Sequence, residues 1–236
     1  MTYGGLRVIG AGVLAMLCAW TGARIYANWH AQVPAEIRVP AGFASTPTPS
    51  DRAAETASAL PPPHIPDALP AFTLSDLQGR STPISTWAGQ SLVINFWATW
   101  CAPCRREMPL LNTLAGEWAS QHVTVVGIAV DHRNQVQQFA DQFKIRYPLL
   151  IGEQDALDVA AKLGVESAVF PFTVFTDRRG DVVALFVGEL HRPQADLIMA
   201  AVQNLDNGAL QLTQARRQIA EQLDALAEKT RGVRAF

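Results

Sequence analysis

Cysteine is scarce in this chain. There are three in 236 residues, and Cys18 lies inside an uncharged apolar run near the N-terminus, which leaves Cys101 and Cys104 as the only pair elsewhere. No second CxxC accompanies them, and the histidines (His30, His64, His122, His132 and His191) are scattered. Zinc takes about four strong ligands, usually delivered as two spaced pairs, so a zinc site is a poor fit. A disulfide serving only as a staple fits poorly too, because the stabilisation grows with the length of the closed loop and this loop holds only Ala102 and Pro103. Redox chemistry at the CxxC is the reading left standing. It calls for no cofactor beyond a redox-active Cys101–Cys104 disulfide.

Excess charge is also lacking. Nineteen Lys and Arg stand against 21 Asp and Glu, and the chain has neither a basic stripe nor interleaved aromatics. Nucleic acid is therefore not an expected partner.

What the chain does have begins with an apolar N-terminus. Val8 to Ala23 carries no charge and is flanked by Arg7 and Arg24. At about 1.5 Å per residue it covers roughly 24 Å, and counting back to Gly4 with a snorkelling Arg7 restores a membrane-spanning length. Residues 1–30 are expected to be a signal-anchor, with a cleaved signal peptide as the alternative because Thr21, Gly22 and Ala23 are small. Residues 31–70 are rich in Ala, Pro, Ser and Thr and read as a linker, stiffened by Pro61 to Pro63. The globular domain is expected over 71–206, and an amphipathic helix over 207–236 with Leu212, Ile219, Leu223 and Leu226 along one side. That apolar side implies docking, onto the domain or onto a partner.

Inside the domain, Leu92 to Ala98 and Val123 to Val130 are short runs, apolar at nearly every position, separated by a stretch of helical length. This is a βαβ unit whose strands are covered on both faces and should be central. Helices are predicted over Asn134 to Phe143, Gln154 to Leu163 and Arg192 to Leu205, and strands over Phe172 to Thr176 and Val182 to Val187. Ala71 to Gly79, with Asp76 and Gly79 as turn residues, reads as an N-terminal hairpin arm. The fold class is α/β, a mixed sheet between helices.

Phe96-Trp97-Ala98-Thr99-Trp100-Cys101-Ala102-Pro103-Cys104-Arg105-Arg106-Glu107-Met108-Pro109 resembles the active-site signature of the TlpA/ResA branch of the thioredoxin superfamily. The resemblance covers roughly Phe72 to Leu205, and it implies a thioredoxin fold and an extracytoplasmic protein disulfide oxidoreductase, acting as a reductase. It further implies a place in the bacterial periplasm, association with the inner membrane, and recharging by a membrane thiol electron transporter of the DsbD/CcdA type. Disulfide-containing exported proteins, apocytochrome c among them, are the implied substrates.

Cys101 follows a strand directly and should open the next helix, where free N–H groups and the helix dipole favour its thiolate. Cys104, one turn on, can then attack a mixed disulfide formed at Cys101. The resemblance assigns Glu107 as a proton acceptor near the buried resolving thiol; the plainer alternative is a solvated surface carboxylate. It also implies that Pro171 is cis and lies against the disulfide, with Phe170 beside it, although Phe172 stands where Thr usually follows that proline. Of Trp97 and Trp100, one should be core and the other an apolar rim for peptide, Trp100 being the substrate-side candidate. Arg105, Arg106, Asp131 and His132 read as surface or loop residues. Two other functions use related folds: Cu(I) delivery through both thiolates, for which no histidine stands out as a third ligand, and a peroxidase, whose cysteine would not sit in a helix-start CxxC.

Overall fold

The computed structural model describes residues 65–165 and 169–233. The apolar N-terminal segment read as a signal-anchor and residues 31–64 of the proposed linker lie outside the described residues. Among the described residues no helix is long and apolar enough to cross a membrane.

The polypeptide enters through a hairpin of β1 (Thr73–Asp76) and β2 (Ser81–Pro83). Asp76 shapes its turn, Oδ1 accepting the backbone N–H groups of Gln78 and Arg80 at 2.9 Å each, and Gly79 takes the positive φ of 80° that a side chain would resist. The expected βαβ unit follows as β3 (Ser91–Trp97), α1 (Ala102–Trp118) and β4 (Val123–Val130), the two strands parallel and in continuous register from Ser91↔Val123 to Trp97↔Ala129. Then come α2 (Arg133–Phe143), β5 (Leu149–Gly152), α3 (Gln154–Lys162), β6 (Phe172–Thr176), β7 (Val182–Val187), α4 (Arg192–Asp206) and α5 (Leu212–Val233).

Seven strands make one mixed sheet in the order β2-β1-β5-β4-β3-β6-β7, which puts β3 and β4 in its interior as their unbroken apolar runs required. All seven residues of β3 are buried. Side chains alternate across the sheet: Val93 and Trp97 join the core under α1, α2, α4 and α5, while Leu92, Ile94 and Phe96 join the core under α3 and the hairpin.

Two expectations need correction. β5 was not foreseen: four residues after Pro148 are too short to show a period, and what makes them a strand is parallel pairing to β4 and antiparallel pairing to β1. The packed domain also begins before Ala71. Leu69 N–H donates to the Gly180 carbonyl and Val182 N–H to the Asp67 carbonyl, both at 2.8 Å, and Ile65 and Leu69 pack against the core.

The docking of the last helix is settled in favour of the domain itself. Ala215 and Ile219 are buried, and Leu212 and Leu223 pack against the same core as α1 and α4. Arg216 ties the helix to the start of β7 and the entry segment paired with it, its guanidinium donating to the Val182 carbonyl at 2.7 Å and the Pro66 carbonyl at 3.2 Å and meeting Asp67 Oδ1 at 2.8 Å. The Asp67 side chain is 80% exposed, so that ion pair contributes little and the carbonyl bonds carry the effect. Arg216→Ala is expected to lower unfolding free energy by about 1–3 kcal/mol in a urea titration with an unchanged slope. A loss within error would show that α5 is held by its apolar face alone.

Candidate active site

The site forms where β3 ends and α1 begins. Cys101 is the N-cap of α1, in an extended conformation with φ −81° and ψ 106°, and its Sγ accepts the Cys104 backbone N–H at 3.3 Å. A Pro in the first turn, Pro103, has no N–H to leave unsatisfied there. The two sulfurs are bonded to each other. Cys101 keeps 5% of its surface exposed and Cys104 none, so an incoming disulfide meets Cys101 first.

The loop before Cys101 is anchored from the neighbouring strand. Asp131, at the end of β4 and 8% exposed, accepts Thr99 N–H at 3.1 Å and Thr99 Oγ1–H at 2.5 Å through one oxygen, and His132 N–H at 2.8 Å through the other. The sequence read Asp131 as an ordinary loop residue; it instead fixes the segment that delivers Cys101. His132 stays outside, with Nδ1 2.9 Å from Glu153 Oε1 on an exposed face. Arg106 is likewise a surface charge, paired with Glu189, and Arg105 lies over the rings of Phe139 and Phe143.

Glu107 is not a solvated carboxylate. It is 2% exposed, with Oε1 accepting Asn95 Nδ2–H at 2.8 Å and Oε2 accepting Leu190 N–H at 2.7 Å. Burial raises its pKa to about 7; the hydrogen bonds from Leu190 and Asn95 oppose the rise and the charge of Glu189 adds to it. Tyr147, also buried, donates to Met108 Sδ, and its ionisation is suppressed by burial and by the nearby Glu107.

The peptide bond Phe170–Pro171 is cis. Pro171 directly precedes β6, whose Phe172 pairs with Phe96 of β3, so the proline lies at the level of the strand end that leads into Cys101. The Phe96 and Phe172 rings stack at 4.3 Å, an apolar contact that a threonine after the proline would not make. Of the two tryptophans, Trp97 is wholly buried and Trp100 is 68% exposed. Trp100 meets Phe170 edge to face, with ring centroids 6.1 Å apart. The structure thus places Trp100, the residue before Cys101, against Phe170, the residue before Pro171, and buries Glu107 one turn along the helix from Cys104. Sequence reasoning missed Asn95 and Thr173. Asn95 did carry a signal, as the polar residue within the run LVINFWA.

A mixed sheet whose first parallel crossover helix opens on a CxxC, with a cis proline starting the adjacent antiparallel strand, defines a thioredoxin-fold dithiol–disulfide enzyme. The chain belongs to the AhpC/TSA family, whose model matches residues 65–185, and within it to the thiol-disulfide oxidoreductases of the ResA kind. It is 34% identical to the thiol-disulfide oxidoreductase ResA of Geobacillus thermodenitrificans over 122 residues, 51% of this chain and 68% of the relative. It is 33% identical to the thioredoxin-like protein YneN of Bacillus subtilis over 131 residues, 54% of this chain and 74% of the relative. Among solved structures, a thiol:disulfide interchange protein of the thioredoxin family from Chlorobium tepidum superposes with a TM-score of 0.53 at 26% identity, covering 58% of this chain and 97% of its own.

Proposed function

We propose that this protein is a reductase of disulfides in exported proteins, working in the bacterial periplasm and held at the inner membrane by residues 1–30, or released there if that segment is cleaved. The Cys101 thiolate attacks a substrate disulfide; the S–S bond breaks, one substrate sulfur leaves as a thiolate and the other remains bonded to Cys101 Sγ. Cys104 then gives its proton to Glu107 and attacks Cys101 Sγ, expelling the second substrate thiolate. Two electrons have passed to the substrate and the Cys101–Cys104 disulfide remains. A membrane thiol electron transporter of the DsbD/CcdA type returns the pair to the dithiol. Trp100, Phe170 and Pro171 form the edge against which the substrate chain lies, and apocytochrome c belongs to the substrate class.

The observation that carries this reading is Glu107, buried one helical turn past the wholly buried Cys104. A buried thiol can ionise only if its proton has an acceptor, and an acceptor titrating near 7 works in both directions at neutral pH. The ResA relatives support the same chemistry.

The test is insulin reduction by the purified protein together with equilibration of the Cys101/Cys104 couple against glutathione. We expect catalysed reduction and a potential nearer about −270 mV, as in reducing thioredoxins, than the about −120 mV of an oxidant. A potential at the oxidising end would reverse the proposed direction. Tight Cu(I) binding or peroxide consumption without insulin reduction would replace the function altogether.

A further inference from the structure

We infer that Asn95 is a positioning residue for Glu107: with Thr173 it holds the carboxylate behind Cys104 and sets how readily that carboxylate takes the resolving thiol's proton. The inference rests on Glu107 being that acceptor.

Asn95 occupies the middle of β3, paired with Gly127 of β4 on one side and Thr173 of β6 on the other, and it is wholly buried. On its face of the sheet its neighbours along the strand are Val93 and Trp97, both core residues. Packing alone would favour an aliphatic side chain, since a buried polar group without its partners costs about 1–3 kcal/mol. Asn95 is only partly satisfied. Nδ2 donates to Glu107 Oε1 at 2.8 Å and to Thr173 Oγ1 at 3.1 Å, while Oδ1 is buried with no hydrogen-bond partner among the described residues. A polar residue held in the core with half of its amide unused is poor filler, and what it does make is a donor aimed at the carboxylate.

The arrangement also fixes which way the amide faces. Turning it over would point Oδ1 at Glu107 Oε1, two acceptors together, unfavourable while Glu107 is ionised. Thr173 stands two residues past Pro171, so Asn95 links the carboxylate on α1 to the strand that carries the substrate-side proline. The backbone of Leu190 holds the other oxygen at 2.7 Å.

Among the described residues, the other charged or titratable side chain that acts on Glu107 is Glu189. Cys104, Arg105, Arg106 and Glu117 share its helix. Glu189, from the segment after β7, disfavours its ionisation and is itself paired with Arg106 at 2.5 Å. Tyr147, from the segment before β5, is a buried neutral phenol. Against these, the Asn95 hydrogen bond favours the carboxylate form.

The test uses the full chain in its oxidised form, with the Glu107 carboxyl followed by carbon NMR from pH 4 to 9 in the wild type, Asn95→Leu and Thr173→Val. The pH profile of the resolving step and the thermal midpoint are measured alongside. In Asn95→Leu the Glu107 midpoint is expected to move alkaline by about one pH unit, and the resolving step at pH 7 to slow about fivefold with KM for the substrate unchanged. Thr173→Val, which keeps the shape and removes one anchor of the amide, moves both in the same direction by less and carries the test if Asn95→Leu does not fold. A Glu107 midpoint that stays in place while only thermal stability falls overturns the inference and makes Asn95 a core residue. A midpoint that moves while the resolving step keeps its profile overturns the proton-acceptor reading of Glu107 and the catalytic part of the inference with it.

Discussion

Cys101→Ser reduces insulin-disulfide exchange to background, a loss of at least about a thousandfold, or some 4 kcal/mol of barrier. A serine hydroxyl in the same N-cap can still accept the Cys104 N–H, so the helix start survives and the loss is chemical. Cys104→Ser behaves differently. Its Cys101 attacks once and stops, because no resolving thiol follows, and the mixed disulfide accumulates as an adduct detectable by mass. The asymmetry follows from exposure, 5% for Cys101 against 0% for Cys104. Exchange that persists in Cys101→Ser would sink the assigned chemistry, and adduct formed at Cys104 would invert the roles.

Glu107→Gln has the second largest effect, visible in stability as well as in rate. The folded-state pKa, about 7, lies above the ordinary carboxylate value of 4.5, so the folded protein binds this proton more tightly than the unfolded chain. The sign follows: the stabilising contribution of the neutral acid is present below about pH 4.5 and is lost as pH rises towards 7, on the order of 3 kcal/mol. In the oxidised protein neither cysteine titrates, and the five histidines are common to wild type and Glu107→Gln, so the difference between the two curves reports this group. Denaturant unfolding of the wild type should lose stability between pH 5 and 7 more steeply than Glu107→Gln, which carries no such charge. The same variant should lose the limb of the resolving-step pH profile centred near 7. Parallel stability curves for the two proteins would falsify the buried-carboxylate account.

How much of this was legible differs from residue to residue. The strand Phe172–Thr176 was readable to the residue because its apolar run is bounded by Pro171 and by the turn at Asp177 to Gly180. β5 was not, since Leu149–Gly152 becomes a strand only through the neighbours on either side of it. Residues 65–70 look like linker by composition, yet their backbone pairs with the Gly180 to Val182 segment, a partner more than a hundred positions away. Glu107 was singled out through the family motif; its burial and its hydrogen bonds from Asn95 and Leu190 belong to the folded environment of α1.

The sequence by itself determined the chemistry: one isolated CxxC after an apolar strand, a proline opening another, and alternating strand and helix patterns are local features, encoded in spacing and composition. The tertiary structure decided everything that depends on what lies across the sheet. It chose which tryptophan faces solvent, turned a helix-face glutamate into a buried acid, made Asp131 the anchor of the cysteine loop, and set Asn95 against Glu107. The physical reason is that burial and hydrogen-bond partnership belong to the environment of a residue, and that environment is assembled from β3, α1, β6 and the segment after β7, which the chain brings together only on folding.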